Sequence, residues 1–281
     1  MTQLVELQEQ IGEFEAAGIR VYGISYDPPE ALESFSDRYG ITYDLLADVG
    51  SVVIRRFGIL NTLIDPEDPR AGDFYGIPFP GTYVADEHGV VTEKFFSRHY
   101  ATRESAGTIL DKALGKVLLH EEAPQADEQG ERVKITGFLS DPDLKLEVVN
   151  TLYVRLQMAA GYHVYGDPLP EGFYPTRIAV QAAPGVRVGE PVYPPTQPRE
   201  FEILGVTLNV YDGVTEIAVP VTGTTELWGA SETIGTNGER QVELDVIVDY
   251  QVCSETICYS PQTAQLSIAA PVAALIQPTS E

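Results

Sequence analysis

Cysteine is nearly missing from these 281 residues: there are two, Cys253 and Cys258, alongside 1 tryptophan and 2 methionines. Two thiols are too few for a disulfide-rich scaffold, so the fold must rest on ordinary hydrophobic cores. Basic residues are scarce as well, with 18 Lys and Arg against 42 Asp and Glu, a formal net charge of −24. That balance repels phosphate and argues against nucleic acid or an anionic membrane surface as a partner. No apolar run approaches the roughly 18 to 20 residues that cross a bilayer, and the first ten residues lack a basic stretch followed by an apolar one. Neither membrane insertion nor a signal segment is expected from this sequence. Four histidines, His88, His99, His120 and His163, show no metal-ligand spacing, and none stands near the cysteines in the chain. A zinc site is therefore not expected, and these histidines are read as turn or surface residues. The glycines form neither a dinucleotide fingerprint nor a phosphate loop, and Ser260 has no nucleophile-elbow context. Nucleotide-binding and hydrolase chemistry drop out, and no cofactor is expected.

What is present divides the chain in two, as its length alone favours. Leu4, Leu7, Ile11 and Phe14 recur at helical spacing up to Gly18, and residues 19–25 form a short apolar run suited to a buried strand. Pro28 and Pro29 open a second helix with Ala31, Leu32 and Phe35 on one face and Gly40 after its end. A strand over 43–46, a helical turn over 52–57, a hairpin turning at Asp86 to Gly89, and a helix carrying Ile109, Leu110, Ala113, Leu114 and Val117 complete this half. The order is that of a thioredoxin-like α/β domain lacking its first strand. Residues 121–131 are acidic and non-periodic, as a solvated linker would be. Beyond them, short Val, Ile and Tyr-rich segments at 133–138, 144–156, 177–182, 215–221, 242–252 and 264–268 predict an all-β sandwich. The expected organisation is 1–120 thioredoxin-like domain, 121–132 linker, 133–270 sandwich and 271–281 tail.

The stretches VYGISYDPPEALESFSDRYGITYDLLAD (21–48) and IPFPGTYVADEHGVV (77–91) resemble the redoxin family, peroxiredoxin-like proteins of the AhpC/TSA type. That resemblance marks Pro80 as the proline, often cis, that precedes the hairpin and faces the reactive thiol. Redoxins carry that thiol at a helix N-terminus, where N–H groups stabilise thiolate, whereas this sequence has no cysteine before Cys253. Either the natural protein extends upstream and supplies a cysteine, making the domain a peroxidase or disulfide reductase, or the domain is a degenerate redoxin kept for binding.

Three further passages, AGYHVYGDPLPEGFYPTRIAV (160–180), LGVTLNVYDGVTEIAVPV (204–221) and VDYQVCSETICYSPQTAQLSI (248–268), resemble the N-terminal, immunoglobulin-like domain of the thiol:disulfide interchange protein DsbD. Tyr250, Gln251, Cys253, Cys258, Tyr259 and Pro261 stand at its Tyr-Gln-x-Cys and Cys-Tyr-x-Pro positions. The departures are a compact insert, Ser254 to Ile257, and Ser260 where proline is common. The resemblance implies a redox-active pair that relays electrons between thioredoxin-like partners, with Cys258 facing the partner, in an extracytoplasmic compartment. A pair at this spacing can close a ring if its Cα atoms come within about 4.4 to 6.8 Å; the alternative is a passive staple. The resemblance also makes Phe201, in the run Pro198 to Phe201, the candidate cap over the disulfide, with Tyr162, Tyr165, Tyr250 and Tyr259 as candidate pocket residues. A core aromatic is the equal alternative for Phe201, and ordinary strand packing for the tyrosines. Three functions stay open: disulfide exchange at Cys253 and Cys258, a non-catalytic interaction module, or part of an antioxidant oxidoreductase acting on peroxides or disulfides.

Overall fold

The computed structural model describes residues 2–65, 67–68, 72–96, 102–120, 123–201, 205–234 and 239–273. These fall into two units, one running to Lys116 and the other from Val117 to Ala273.

In the first unit, α1 (Thr2–Glu9) and α2 (Ile11–Ala16) take the place of the single helix predicted from Leu4 to Phe14. Gln10 leaves helical geometry between them, yet the apolar face persists, with Leu7 and Phe14 buried. Gly18, at φ 73°, ends α2 in the left-handed region that glycine enters without steric cost. β1 (Tyr22–Ser25) lies parallel to β2 (Asp44–Ala47), joined by α3 (Pro29–Tyr39), which begins behind Pro28 and stops at left-handed Gly40. The expectation of a buried strand here is corrected. Tyr22 and Ile24 are exposed, because β1 and β2 pair only with each other among the described residues and Leu32 and Phe35 of α3 are half-buried.

α4 (Val52–Arg56) follows, its first turn held by the Asp48 carboxylate, which accepts from Val53 N (3.0 Å) and Ile54 N (2.8 Å). β3 (Gly81–Ala85) and β4 (Val91–Phe96) make the expected hairpin. Its turn is fixed by Asp86 Oδ1, which accepts from His88 N and Val90 N, both at 2.9 Å. Pro80 stands directly before β3, but its peptide bond is not cis; the cis bond among the described residues is Asp167–Pro168. Phe79 N bonds to Ile59 O and Asn61 N to Ile77 O, so 77–79 run extended against 59–61, a path a trans peptide continues. The short β5 (Arg103–Glu104) and α5 (Ala106–Leu114) close the unit, α5 capped by the Ser105 side chain and ended at left-handed Gly115. The predicted helix therefore stops three residues before Val117.

The second unit is strand-built. β6 (Gln125–Gln129) pairs with β7 (Val133–Leu139), so the stretch expected to be a solvated linker supplies a strand. Its acidic composition hid this, since an edge strand needs backbone pairing more than apolar side chains. β8 (Val148–Met158), β9 (His163–Tyr165), β10 (Arg177–Ala182), β11 (Val186–Val188), β12 (Gln197–Phe201), β13 (Val206–Asp212) and β14 (Val214–Gly223) follow. After the helical turn α6 (Leu227–Ala230) come β15 (Glu232–Ile234), β16 (Glu239–Tyr250), β17 (Val252–Cys253) and β18 (Gln262–Val272).

One sheet runs β11, β14, β8, β7, β6; a second sets β10, β15 and β18 against β16; a third runs β12, β13, β9, β17. Alternation along β16 buries Val242, Leu244, Val246, Val248 and Tyr250, which meet Leu152, Val154 and Leu156 of β8 and Ile217, Val219 and Val221 of β14 in one core. The third sheet gives Val164, Tyr211 and Val252 to this core. Its opposite face carries a smaller cluster of Tyr165, Phe201, Leu208, Val210 and Cys253, with Leu169 and Phe173 laid against it. That second cluster holds Cys253, one of the two cysteines.

Candidate functional site

Cys253 ends β17 and Cys258 opens the return strand of a tight hairpin. Ser254 N bonds to Ile257 O (2.8 Å) and Tyr259 N to Val252 O (3.1 Å), leaving Cys253 and Cys258 opposite each other between these bonds. They are thus the non-hydrogen-bonded kind of antiparallel pair, in which Cα atoms come closest, about 4.5 Å. The observed Cα–Cα distance is 4.1 Å, slightly under the span expected from the sequence, and the two sulfurs are joined. The compact insert makes this possible: Ser254 Oγ accepts from Thr256 N (3.3 Å) and Ile257 N (3.1 Å), folding four residues into one turn. Gln251 anchors the base, its Nε2 donating to Tyr259 O (3.0 Å) and its Oε1 accepting from Tyr174 N (3.3 Å).

The two sulfurs live in different surroundings. Cys253 is 0% exposed, within the cluster of Tyr165, Phe201, Leu208 and Val210, whereas Cys258 is exposed. Ile257 and Tyr174, each 54% exposed, put apolar surface on segments bonded to this hairpin. Tyr165 Oη lies 3.3 Å from Cys258 Sγ, and since a disulfide sulfur carries no proton the phenol is the donor. Burial pushes the Tyr165 pKa up, which keeps that proton in place.

Phe201 is 6% exposed and packs in the cluster that holds Cys253. Its run, Pro198 to Phe201, belongs to β12 rather than to a loop, because it pairs with β13 from Phe201↔Val206 to Pro198↔Asn209. The other aromatics separate. Tyr162 and Tyr259 (centroids 6.4 Å apart) stack with Arg132, whose guanidinium carbon is 4.0 Å from the Tyr259 centroid, and both tyrosines pack against the sandwich core. Tyr250 is a core residue of β16. Of the candidate pocket tyrosines, only Tyr165 touches sulfur.

The reading of the histidines is corrected for His163. It is 0% exposed and sits in register with Cys253, so two residues 90 positions apart in the sequence are cross-strand neighbours on one face. The same rung continues to Asp212 on β13. Arg199, from β12, pairs with Asp212, reaches Glu255 at 3.4 Å and places Nη1 3.5 Å from His163 Nδ1. The His163 ring also meets Tyr165 (5.4 Å) and Phe201 (5.2 Å). Burial first, and then the Arg199 charge, hold its pKa below the ordinary histidine value. Sequence spacing could not reveal this pairing, although the alternation in His163-Val164-Tyr165 puts the histidine and the tyrosine on one face. His88 is the expected turn residue, and His99 lies outside the described residues. Among the described residues, no group of three or more Cys, His, Asp or Glu is arranged to hold a metal.

Comparison with known proteins separates the same two regions. Residues 1–94 match the AhpC/TSA family, and residues 143–270 match the family described as thiol:disulfide interchange protein DsbD, N-terminal. A Mycobacterium tuberculosis protein described as a peroxiredoxin is 33% identical over 89 residues, 32% of this chain and 54% of that protein. Chloroplastic peroxiredoxin Q of Gentiana triflora is 31% identical over 90 residues, 32% of this chain and 36% of the relative. The chain thus spans about half the length, or less, of these curated relatives. Among solved structures, the N-terminal periplasmic domain of ScsB from Proteus mirabilis aligns at 13% identity and TM-score 0.37, covering 53% of each chain. The reduced DsbD N-terminal domain of Neisseria meningitidis aligns at 19% identity and TM-score 0.28, covering 55% of this chain and 91% of that one. A segment matching the AhpC/TSA family, a region matching the DsbD N-terminal family and a bonded cysteine pair fit thiol–disulfide redox chemistry.

Proposed function

We propose that Cys253 and Cys258 form a disulfide-exchange centre that passes electron pairs to and from thioredoxin-like proteins or domains, with Cys258 the sulfur that partners attack. The observation that carries this reading is the unequal burial of a single bonded pair, 0% exposure at Cys253 against an exposed Cys258. A thiolate must approach the sulfur it attacks along the S–S axis, so access selects the site of attack. Attack at Cys258 forms a mixed disulfide and expels Cys253 as thiolate into the protected cluster, from which it can return to resolve the intermediate. Phe201 and Phe173 shield the buried sulfur from small oxidants, while Ile257 and Tyr174 offer apolar surface to a docking partner. Both cysteines of this sequence lie in the second unit, so the exchange is assigned there.

The test uses single-cysteine variants of the full chain, each activated as an aromatic mixed disulfide and offered to a reduced single-cysteine thioredoxin. Cys253→Ser, which keeps the exposed Cys258, is expected to trap the partner at least tenfold faster than Cys258→Ser. Equal rates, or faster trapping at Cys253, would overturn the assignment of the attacked sulfur. If the double serine variant still binds thioredoxin-like partners with unchanged affinity, the chain is an interaction module rather than an exchange centre.

A further inference from the structure

Arg199 carries only donors, so at 3.5 Å from its Nη1 the His163 Nδ1 must be the acceptor, and the neutral ring then bears its proton on Nε2. That Nε2 is buried and has no hydrogen-bond partner, while the ring is fully enclosed. A buried donor without an acceptor is an unfavourable state that proteins seldom keep without reason. The neighbour across the ladder is Cys253, a neutral disulfide sulfur and a poor acceptor while the bridge is closed. Opening the bridge changes that sulfur into a thiolate, a strong acceptor for an N–H.

We infer that His163, its tautomer fixed by the Arg199 and Asp212 pair, is a positioning residue that receives the Cys253 thiolate by an Nε2–H hydrogen bond when the disulfide opens. The inference rests on the exchange reading above and names what favours departure of the buried sulfur. In the reductive step a partner thiolate forms a bond to Cys258 Sγ, the Cys253–Cys258 bond breaks, and its electron pair leaves on Cys253 Sγ. No proton moves; the imidazole stays neutral and donates a hydrogen bond. The partner's second thiolate then attacks its own bridged sulfur and expels Cys258, which takes a proton from solvent at its exposed position. Two electrons pass from the partner dithiol to the pair.

The charged and titratable groups around this site are Arg199 from β12, Asp212 from β13, Tyr165 from β9 and Glu255 from the hairpin turn. Arg199 is paired with Asp212 and Glu255, and the His163 Nε2–H remains the buried donor without a partner on the rung that His163 shares with Cys253.

The experiment titrates the ultraviolet thiolate absorbance of Cys253 in the full chain carrying Cys258→Ser, alone and combined with His163→Leu or His163→Asn. His163→Leu is expected to raise the Cys253 titration midpoint by about one pH unit, a tenfold loss of thiolate at a fixed pH below it. His163→Asn, which keeps an N–H donor, is expected to recover most of that loss, a rescue that a purely structural role would not produce. In the two-cysteine chain, His163→Leu is expected to make the disulfide about tenfold harder to reduce against glutathione. A leucine variant that titrates like its parent overturns the inference. If His163→Leu does not fold, His163→Phe, which keeps a ring and removes the N–H, decides the matter, with the same rise expected and an unchanged midpoint contradicting it. The Cys253 titration needs no partner, so it stays decisive even if the parent chain fails to exchange with any dithiol and the functional reading falls.

Discussion

Cys253 and Cys258 lie five residues apart, yet one sulfur is enclosed by aromatics and the other meets solvent. Phe201 is the side chain whose removal would most directly weaken that contrast, since it packs in the Cys253 cluster and against the His163 ring. Phe201→Ala is expected to destabilise the strand-built unit by about 3 to 5 kcal/mol, the usual cost of emptying a buried phenylalanine site. It should also speed reduction of the disulfide by dithiothreitol severalfold. Chemical denaturation and a rate measurement on the same variant check both outcomes. A stability loss with an unchanged rate would make Phe201 a packing residue rather than a cap. The Tyr-Gln-x-Cys and Cys-Tyr-x-Pro signature was legible at this scale because it is local in sequence. His163 and Arg199 were not, because pairing across strands, rather than spacing along the chain, sets His163 beside Cys253 and Arg199 beside His163.

Elements assemble this site by turn chemistry as much as by apolar periodicity. The Ser254 side chain folds the cysteine turn, and Asp86 does the same for the β3 and β4 hairpin. Asp48 shows the principle in a titratable form. Burial alone would raise its pKa, but the backbone N–H groups of Ile54, Val53 and Val52 outweigh that and hold it below the usual carboxylate range. The stability this contributes is fully present above the ordinary aspartate pKa and is lost as the pH falls through the lowered native value. Asp48→Asn is therefore expected to increase amide hydrogen exchange at Ile54 at neutral pH, with the gap from the parent closing as the pH falls through that range. A gap that stays constant down to low pH would show that the charge is not what holds α4. Helix boundaries set by Pro28, Gly18 and Gly40 were legible because those residues act on the backbone directly. β6 was not legible, since Gln125–Gln129 is acidic and its strand character comes from pairing with β7.

At the scale of the whole chain, length favoured two units, and the described residues divide that way. The long alternating strands β8, β14 and β16 were visible as Val and Ile-rich segments because their inner faces meet in one core. The short β9, β11 and β17 were not, being too brief to show a period and held by their neighbours. Yet β9 and β17 are the strands that carry His163 and Cys253, so the least legible elements carry residues of the candidate site. Under the proposed function, the Cys253 and Cys258 pair cycles between disulfide and dithiol instead of serving as a staple. It is tested most directly by the equilibrium reduction potential of the Cys253 and Cys258 pair in the full chain, measured against glutathione. A pair that cycles has a value above about −300 mV, within reach of thioredoxin-like dithiols; a value well below about −300 mV, where structural disulfides lie, marks a staple and overturns the exchange reading.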